Sequence, residues 1–174
     1  MRFDKQVIWW PGEVPTLQTD ISFKADENLD GLSIFAGFHI TLRSIQNSDI
    51  EDIFREIQDP LVPRFTTVPE KYTLTDAKSF VQNKVPTGFA NQTEILFVVT
   101  SISLYAASPN GIETSNTTNK LDLENSTLRQ DFCGVISLHT IDFKNHHAEI
   151  GYWFAKDARG KGIAVAAIEL ITEY

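Results

Sequence analysis

The 174-residue sequence predicts a mixed α+β domain in which helices flank a mostly antiparallel central sheet. Three observations predict it. An alternating apolar segment comes first, two segments with helical spacing follow, and three runs rich in β-branched and aromatic residues come next. Because a short turn joins the last two runs, these strands should pair antiparallel. A glycine-rich loop and one more helical segment complete the order.

The first predicted element is a strand over residues 38–45, "FHITLRSI". Ile40 and Leu42 alternate there with polar residues, as is typical of a half-buried strand. The residues before it show no regular pattern. We therefore interpret residues 1–37 as an N-terminal extension and residues 38–174 as the domain.

Two helical segments follow the first strand. Both begin with the spacing of a capping box, at Ser48 and Glu51 and again at Thr73 and Asp76. Apolar residues recur on one face of each segment, and prolines at Pro60 and Pro86 are expected to end them. Between them lies a proline-punctuated loop, "LVPRFTTVPEK", in which Arg64 and Phe65 should be exposed.

Three strands come after the helices. The run "EILFVVTSISLY" predicts the first with little ambiguity. A polar insertion at 106–130, rich in Asn, Thr and Ser, separates it from "FCGVISLHTIDFKNHHAEIGYWF", which reads as two strands joined by a turn near residues 144–146. Cys133 lies in the first of these two strands, where we expect a buried small hydrophobe rather than a nucleophile.

Composition excludes several classes of protein. The net charge is −8, which argues against a general nucleic-acid binder, because such proteins normally carry a basic surface. No apolar stretch approaches the roughly 18 residues of a membrane span, and the N-terminus lacks the apolar core of a signal peptide. A single cysteine excludes a disulfide framework and makes the cytoplasm the default compartment.

The segment "ARGKGIAVAAIELI" has the properties of an anion-binding loop. Residues 159–162 lie between the end of a predicted strand and the start of a predicted helix. Free backbone N–H groups and the positive end of the helix dipole converge at such a place, and glycines let an anion approach the backbone closely. The spacing fits neither the Walker A loop nor the dinucleotide-binding fingerprint. A basic, solvated turn is the alternative.

The stretch "EIGYWFAKDARGKGIAVAAIELI" resembles the GCN5-related N-acetyltransferases (GNAT superfamily). Their pattern [QR]-x-x-G-x-[GA] is matched by Arg159, Gly162 and Ala164. The sequence is more similar still to one branch of this superfamily, the RimJ/RimL-type ribosomal-protein alanine acetyltransferases. The features shared with that branch are Leu42-Arg43, Asp49 and Gly151-Tyr152-Trp153. The resemblance covers residues 38–174.

The resemblance implies an acyltransferase with acetyl-coenzyme A as co-substrate. Its pyrophosphate would lie on the backbone amides of Arg159, Gly160, Lys161, Gly162, Ile163 and Ala164. Its pantetheine arm would pair with exposed strand backbone at Trp153, Phe154 and Ala155. The acceptor would be a primary amine, plausible candidates being the N-terminal α-amine of a ribosomal or other protein. A small amine (a polyamine or an aminoglycoside) and an inactive acyl-coenzyme A-binding fragment are the alternatives.

The same resemblance assigns the loop between the first two helices to the acceptor cleft, and therefore Arg64 and Phe65. Proton removal from the amine calls for a base. Glu149 is the candidate, because it shares a strand face with Trp153, and a solvated carboxylate is the alternative. The histidines His139, His146 and His147 are rivals. The last two should be surface residues of a turn, and no metal site is expected.

The resemblance also implies further elements beyond the last helix. Members of the family continue with a strand, a helix and a closing strand pair, so the sequence is expected to be a truncated form of the domain. Without those elements, the last helix and the sheet edge would expose apolar surface. Such an edge favours self-association.

Overall fold

A computed structural model describes residues 11–24, 35–105 and 131–173 of the chain. The polar insertion at 106–130, the first ten residues and Tyr174 lie outside the described residues. Within the described part of the chain, every helix is too short or too polar to span a membrane.

Five strands form one antiparallel sheet in sequential order. They are β1 (Leu17–Lys24), β2 (Phe35–Ser44), β3 (Ile95–Tyr105), β4 (Asp131–Asp142) and β5 (His147–Phe154). Every neighbouring pair is antiparallel. The predicted α+β class with a mostly antiparallel sheet is therefore confirmed, as are the strands predicted around β2, β3, β4 and β5.

Strand β1 was not predicted. We expected an irregular segment there, and for Leu17–Lys24 that expectation is wrong. Leu17 pairs with Leu42 of β2, and Leu17 and Ile21 pack against the buried core. The period-2 signal is present in "LQTDISF" but weak, because a threonine occupies one of its inward positions.

Helical segments connect and flank the strands. They are α1 (Ile50–Glu56), α2 (Leu61–Phe65), α3 (Leu74–Ser79), α4 (Val85–Ala90) and α5 (Ile163–Glu173). A 3₁₀ turn at Asn47–Asp49 precedes α1, a π turn at Phe80–Lys84 joins α3 to α4, and a 3₁₀ turn at Lys156–Ala158 follows β5.

The start of the first helical segment differs from the prediction. The Ser48–Glu51 capping box is wrong, because Ser48 already lies inside the 3₁₀ turn. The Asp49 carboxylate instead accepts the Gln46 backbone N–H at 2.7 Å, so the helical segment begins earlier. The second predicted box is confirmed. The Asp76 carboxylate accepts the Thr73 backbone N–H at 2.8 Å and the Thr73 hydroxyl at 2.6 Å, and the Asp76 N–H donates to the Thr73 hydroxyl oxygen at 3.2 Å.

Neither proline ends a helix where expected. Helix α1 already ends at Glu56, and Pro60 immediately precedes the short helix α2, where a loop was predicted. Pro86 lies within α4 rather than after α3. The π turn explains this, because the Val85 N–H donates to the Phe80 carbonyl, five residues back. This wider turn shifts the hydrogen-bond ladder just before a residue that cannot donate.

The sheet is covered on both faces. Phe97 of β3 packs on one face with Ile163, Ala167 and other residues of α5, whereas Leu96 packs on the other with α1 and α3 residues. This alternation in the central strand gives two apolar clusters, one for each layer of helices. Strand β5 is the last strand of the described sheet, so its outer edge is open to the site described next.

Candidate active site

A cavity of about 1230 Å³ surrounds the open edge of β5. One wall is α2 with the residues after it, from Leu61 to Val68. The floor comes from β4 and β5, and the far wall from residues 158–165 at the start of α5. Elements that are distant in the sequence therefore meet at one opening.

The loop predicted to bind an anion forms the far wall. Gly160 and Gly162 have φ angles of 73° and 75°, in the left-handed region that glycine adopts without strain. A Cβ placed on Gly160 would meet nothing within 4 Å, so the backbone there faces open space. The glycines thus supply both the turn and the access to the backbone that the sequence suggested.

Helix α5 presents unpaired amides to this wall. The Ala166 N–H donates to the Gly162 carbonyl at 3.1 Å, which closes the first turn of the helix. The N–H groups of Ile163, Ala164 and Val165 precede that bond and have no acceptor within the helix. Together with the positive end of the helix dipole, they could hold a phosphate or pyrophosphate.

Arg159 is used differently from what the sequence suggested. Its guanidinium donates from Nε and Nη2 to the Phe154 carbonyl, at 2.9 and 2.8 Å, and pairs through Nη1 with Asp59 at 2.8 Å. Its backbone N–H donates to the Lys156 carbonyl. We call this arrangement the Arg159 clamp. It ties the end of β5 and the loop to Asp59, which lies just before Pro60 and α2.

Asp59, the partner of the Arg159 guanidinium, was missed by sequence reasoning. Its other carboxylate oxygen, Oδ1, accepts the Leu61 N–H at 2.9 Å at the start of α2. This bond is the largest influence that lowers the pKa of Asp59, and the hydrogen bond from Arg159 lowers it further. The only local signal was the Asx-type turn "DPL", which does not reveal a partner far along the chain.

The backbone N–H and C=O groups of successive β5 residues point alternately to β4 and to the cavity. The Ala155 N–H points to β4, where it donates to the Cys133 carbonyl at 2.8 Å. Backbone groups of Phe154 and Tyr152 therefore point to the open edge. The Phe154 carbonyl already accepts from Arg159, which leaves the Phe154 N–H and the Tyr152 groups as the edge available to a ligand.

The predicted binding residues divide between two cavities. Those that line the main cavity are Trp153, Phe154, Arg159, Gly160, Gly162, Ile163 and Ala164. Ala155 and Lys161 line a smaller neighbouring cavity of about 360 Å³. The Lys161 ammonium lies 5.7 Å from the centre of the Phe38 ring.

The two residues predicted for the acceptor cleft, Arg64 and Phe65, differ in their position relative to the cavity. Phe65 lines the cavity and is 74% exposed, whereas Arg64 is not among the described residues that line it. The Arg64 guanidinium carbon lies 5.3 Å from the centre of the Phe65 ring. Together with Leu61 and Val68, Phe65 gives this wall an apolar surface.

A polar row crosses the floor of the cavity. Ser137 of β4 pairs with Gly151 of β5, and His139 pairs with Glu149. His139 lines the cavity, but the described lining does not include the candidate base Glu149, whose side chain is 63% exposed. The Glu149 carboxylate lies 3.8 Å from His139 Nδ1. The turn residue His146 and the first residue of β5, His147, are both exposed, and neither is among the described residues that line the cavity.

The described residues do not support a nucleophilic cysteine or a metal site. Cys133 is buried, and this burial raises the pKa of its thiol, which donates to the Ser101 hydroxyl at 3.1 Å. It is therefore a packed strand residue, as predicted, and not an activated nucleophile. Among the residues that the structure describes, no cluster of three or more His, Cys, Asp or Glu side chains could hold a metal ion.

Comparison with known proteins identifies relatives of this arrangement. The family described as "Acetyltransferase (GNAT) domain" matches residues 39–174. Over 42 residues, the chain is 55% identical to YdaF of Bacillus subtilis, which is provisionally named as a ribosomal N-acetyltransferase. That match covers 24% of this chain and 23% of YdaF.

Two solved structures share the fold. A crystal structure of a probable acetyltransferase is 26% identical, with a TM-score of 0.50 over 87% of this chain and 66% of that one. The spermidine N-acetyltransferase of Vibrio cholerae, solved with coenzyme A and spermine, is 16% identical, with a TM-score of 0.52 over 78% and 62%. The chain thus spans less than two thirds of the length of either relative.

Proposed function

The chain belongs to the GNAT acetyltransferase family, and we propose that it transfers an acetyl group from acetyl-coenzyme A to a primary amine. The observation that carries this proposal is that one cavity joins the amides at the start of α5 to the open edge of β5. An anion site and an unpaired strand edge side by side suit a ligand with a pyrophosphate and an amide-bearing arm.

The residues present fit coenzyme A. The amides of Ile163, Ala164 and Val165, with the glycine backbone at 160 and 162, would hold the pyrophosphate. The outward backbone groups of Tyr152 and the Phe154 N–H would pair with the amides of the pantetheine arm. When bound, acetyl-coenzyme A supplies an activated acyl group. Arg159 would shape the loop rather than contact the anion.

The acceptor would enter along the wall formed by α2. We propose an N-terminal α-amine of a protein, with a ribosomal protein as the leading candidate, on the strength of the similarity to YdaF. The exposed Phe65 gives this wall an apolar contact for the first residues of a peptide. Such a substrate would place the activity in the cytoplasm. Proton removal from the amine belongs to the His139–Glu149 pair at the cavity floor.

Titration calorimetry with coenzyme A tests the cofactor site. Gly162→Val should weaken binding about tenfold or more, because a side chain at this position strains the loop and blocks its charge-assisted hydrogen bonds. Gly12→Ala is the matched control, since Gly12 is not among the lining residues and a Cβ there meets nothing within 4 Å. Equal affinities of Gly162→Val and wild type would refute the pyrophosphate cradle.

Thiol release from acetyl-coenzyme A tests the transfer. Peptides that begin with Ala or Ser should support turnover, and spermine tests the small-amine alternative. Turnover with spermine and not with the peptides would replace the proposed acceptor. Tight coenzyme A binding with turnover of neither class would instead indicate a binding module without transferase activity.

A further inference from the structure

We propose that His139 is the group that accepts the proton from the acceptor amine, and that Glu149 is the positioning residue that orients its ring. This inference rests on the proposed acetyl transfer. It reverses the roles that the sequence suggested, in which Glu149 was the base and His139 a rival. Three independent observations support it: a strand bulge, the arrangement of the two ring nitrogens, and the position of each side chain relative to the cavity.

The bulge lies directly after His139. In the register of β4 and β5, His139 pairs with Glu149 and Asp142 pairs with His147, so β4 contains one residue more than its partner over this interval. Thr140 has a φ of 52°, which is rare for a β-branched residue and strained. Bulges re-aim neighbouring side chains and are common beside active sites.

The two nitrogens of the His139 ring have different surroundings. Nδ1 lies 3.0 Å from the Thr140 hydroxyl and 3.8 Å from the Glu149 carboxylate. The Thr140 hydroxyl is within hydrogen-bond distance of Nδ1, whereas the carboxylate is beyond that distance and acts as a negative charge that favours an N–H on this side of the ring. Nε2 has no hydrogen-bond partner among the described residues. The surroundings therefore favour the proton on Nδ1, which leaves the Nε2 lone pair free.

Gly151 keeps Nε2 at the cavity floor. A Cβ on Gly151 would lie 2.7 Å from His139 Nε2 and 3.2 Å from the Ser137 hydroxyl oxygen, so only glycine lets the ring lie across β5 here. His139 and Gly151 both line the cavity, whereas Glu149 is not among the described lining residues. The free nitrogen thus faces the place where an acceptor amine would enter.

The chemical step is a proton transfer that balances without a further reactant. One N–H bond of the acceptor's ammonium breaks, an Nε2–H bond forms, and the neutral amine nitrogen gains the lone pair with which it attacks the acyl group. The imidazolium then returns its proton to solvent. Glu149 stabilises the imidazolium through Nδ1 and does not itself touch the amine.

The tautomer of His139 can be measured without any turnover. Long-range ¹H–¹⁵N correlation spectra of the neutral ring should show the proton on Nδ1 in the wild type. The His139 signals are assigned by their loss in His139→Gln, which distinguishes them from those of the other three histidines. In Glu149→Gln, the population with the proton on Nδ1 should fall. A wild-type ring protonated mainly on Nε2 would overturn the proposal.

Kinetic measurements provide a second test of the role of His139. With an Ala-initiated peptide as probe, His139→Ala should lower kcat by about 10²-fold or more, with the KM for acetyl-coenzyme A unchanged, and added imidazole should restore part of the rate. His147→Ala is the matched control and should behave as wild type. Glu149→Gln should lower kcat less, and the double variant should be no slower than His139→Ala alone.

The outcomes separate this inference from the function on which it rests. Wild-type protein that neither binds coenzyme A nor releases thiol would refute the proposed function, and the inference with it. Wild-type turnover that survives in His139→Ala would refute the inference alone. A kcat loss in His139→Ala that imidazole does not relieve, with a melting temperature lowered to match, would assign His139 a purely structural role.

Discussion

At Gly160, the chain adopts a backbone conformation that other L-residues reach only with strain. Its φ is 73°, and a Cβ added there would meet no atom within 4 Å. Steric crowding is therefore absent, and the penalty for a side chain comes from the left-handed backbone alone. This makes Gly160 a position where conformational strain can be measured without a packing change.

Gly160→Ala should lower the free energy of unfolding by about 1 kcal/mol, which is the cost of placing an L-residue in the left-handed region. Gly160→Asn should lower it less, because asparagine tolerates this region better than alanine does. Urea denaturation of the two variants and the wild type measures the difference. Equal stabilities for alanine and wild type would mean that the loop adopts another conformation in solution.

The element scale is dominated by a largely buried ion pair between β2 and the 3₁₀ turn that precedes α1. The Arg43 guanidinium donates two hydrogen bonds to the Asp49 carboxylate, at 2.8 and 2.7 Å, and Asp49 is 3% exposed. The bonds to Asp49 raise the pKa of Arg43. Because Asp49 also accepts the Gln46 N–H, this one carboxylate fixes both the strand end and the start of the helical segment.

Asp49→Asn should destabilise the fold by about 3 kcal/mol, since it leaves a partly buried guanidinium without its counter-charge. The matched control is Arg55→Gln in α1. It breaks surface pairs with Asp52 and Glu56 in which the Arg55 side chain is 59% exposed, and should cost about 1 kcal/mol or less. Chemical denaturation compares the two. Similar losses in both variants would show that the buried pair contributes no more than a surface pair.

Elements with a complete local signal were predictable. The Thr73–Asp76 capping box, the hairpin of β4 and β5 and the glycine loop each depend on residues close in sequence, and each lies where it was predicted. Elements that depend on tertiary context were missed. The π turn before Pro86 overrides a local helix-breaking signal. The alternation of apolar residues in β1 is weak, and this segment forms a strand because it pairs with β2.

At the scale of the whole molecule, the site depends on contacts between distant segments. The sequence predicted the loop and the β5 residues, because a motif and a strand–helix junction mark them. It did not predict that Arg159 turns away from the loop to meet Asp59, because no local pattern encodes a partner so far along the chain. The Arg159 clamp is what connects the wall formed by α2 to the wall formed by residues 158–165.

This connection makes a prediction about pH. Hydrogen bonds from the Leu61 N–H and from Arg159 lower the pKa of Asp59 in the folded state. A carboxylate with a lowered pKa stabilises the fold above its unfolded pKa, about 3.9, and the contribution is lost as the pH falls through the folded value. Asp59→Asn should therefore lower the melting temperature at pH 7, and the difference from wild type should shrink as the pH falls below about 4.

Asp76→Asn separates the clamp from an ordinary helix cap. The Thr73 hydroxyl and backbone N–H lower the pKa of Asp76, so this variant should show the same convergence with wild type at low pH. Asp76 is not among the residues that line the cavity, and coenzyme A affinity should be unchanged. Asp59→Asn, by contrast, should weaken coenzyme A binding, because the loop loses its tether to α2. A melting-temperature difference for Asp59→Asn that stays constant from pH 7 to pH 3 would show that the ionised pair does not hold the two walls together.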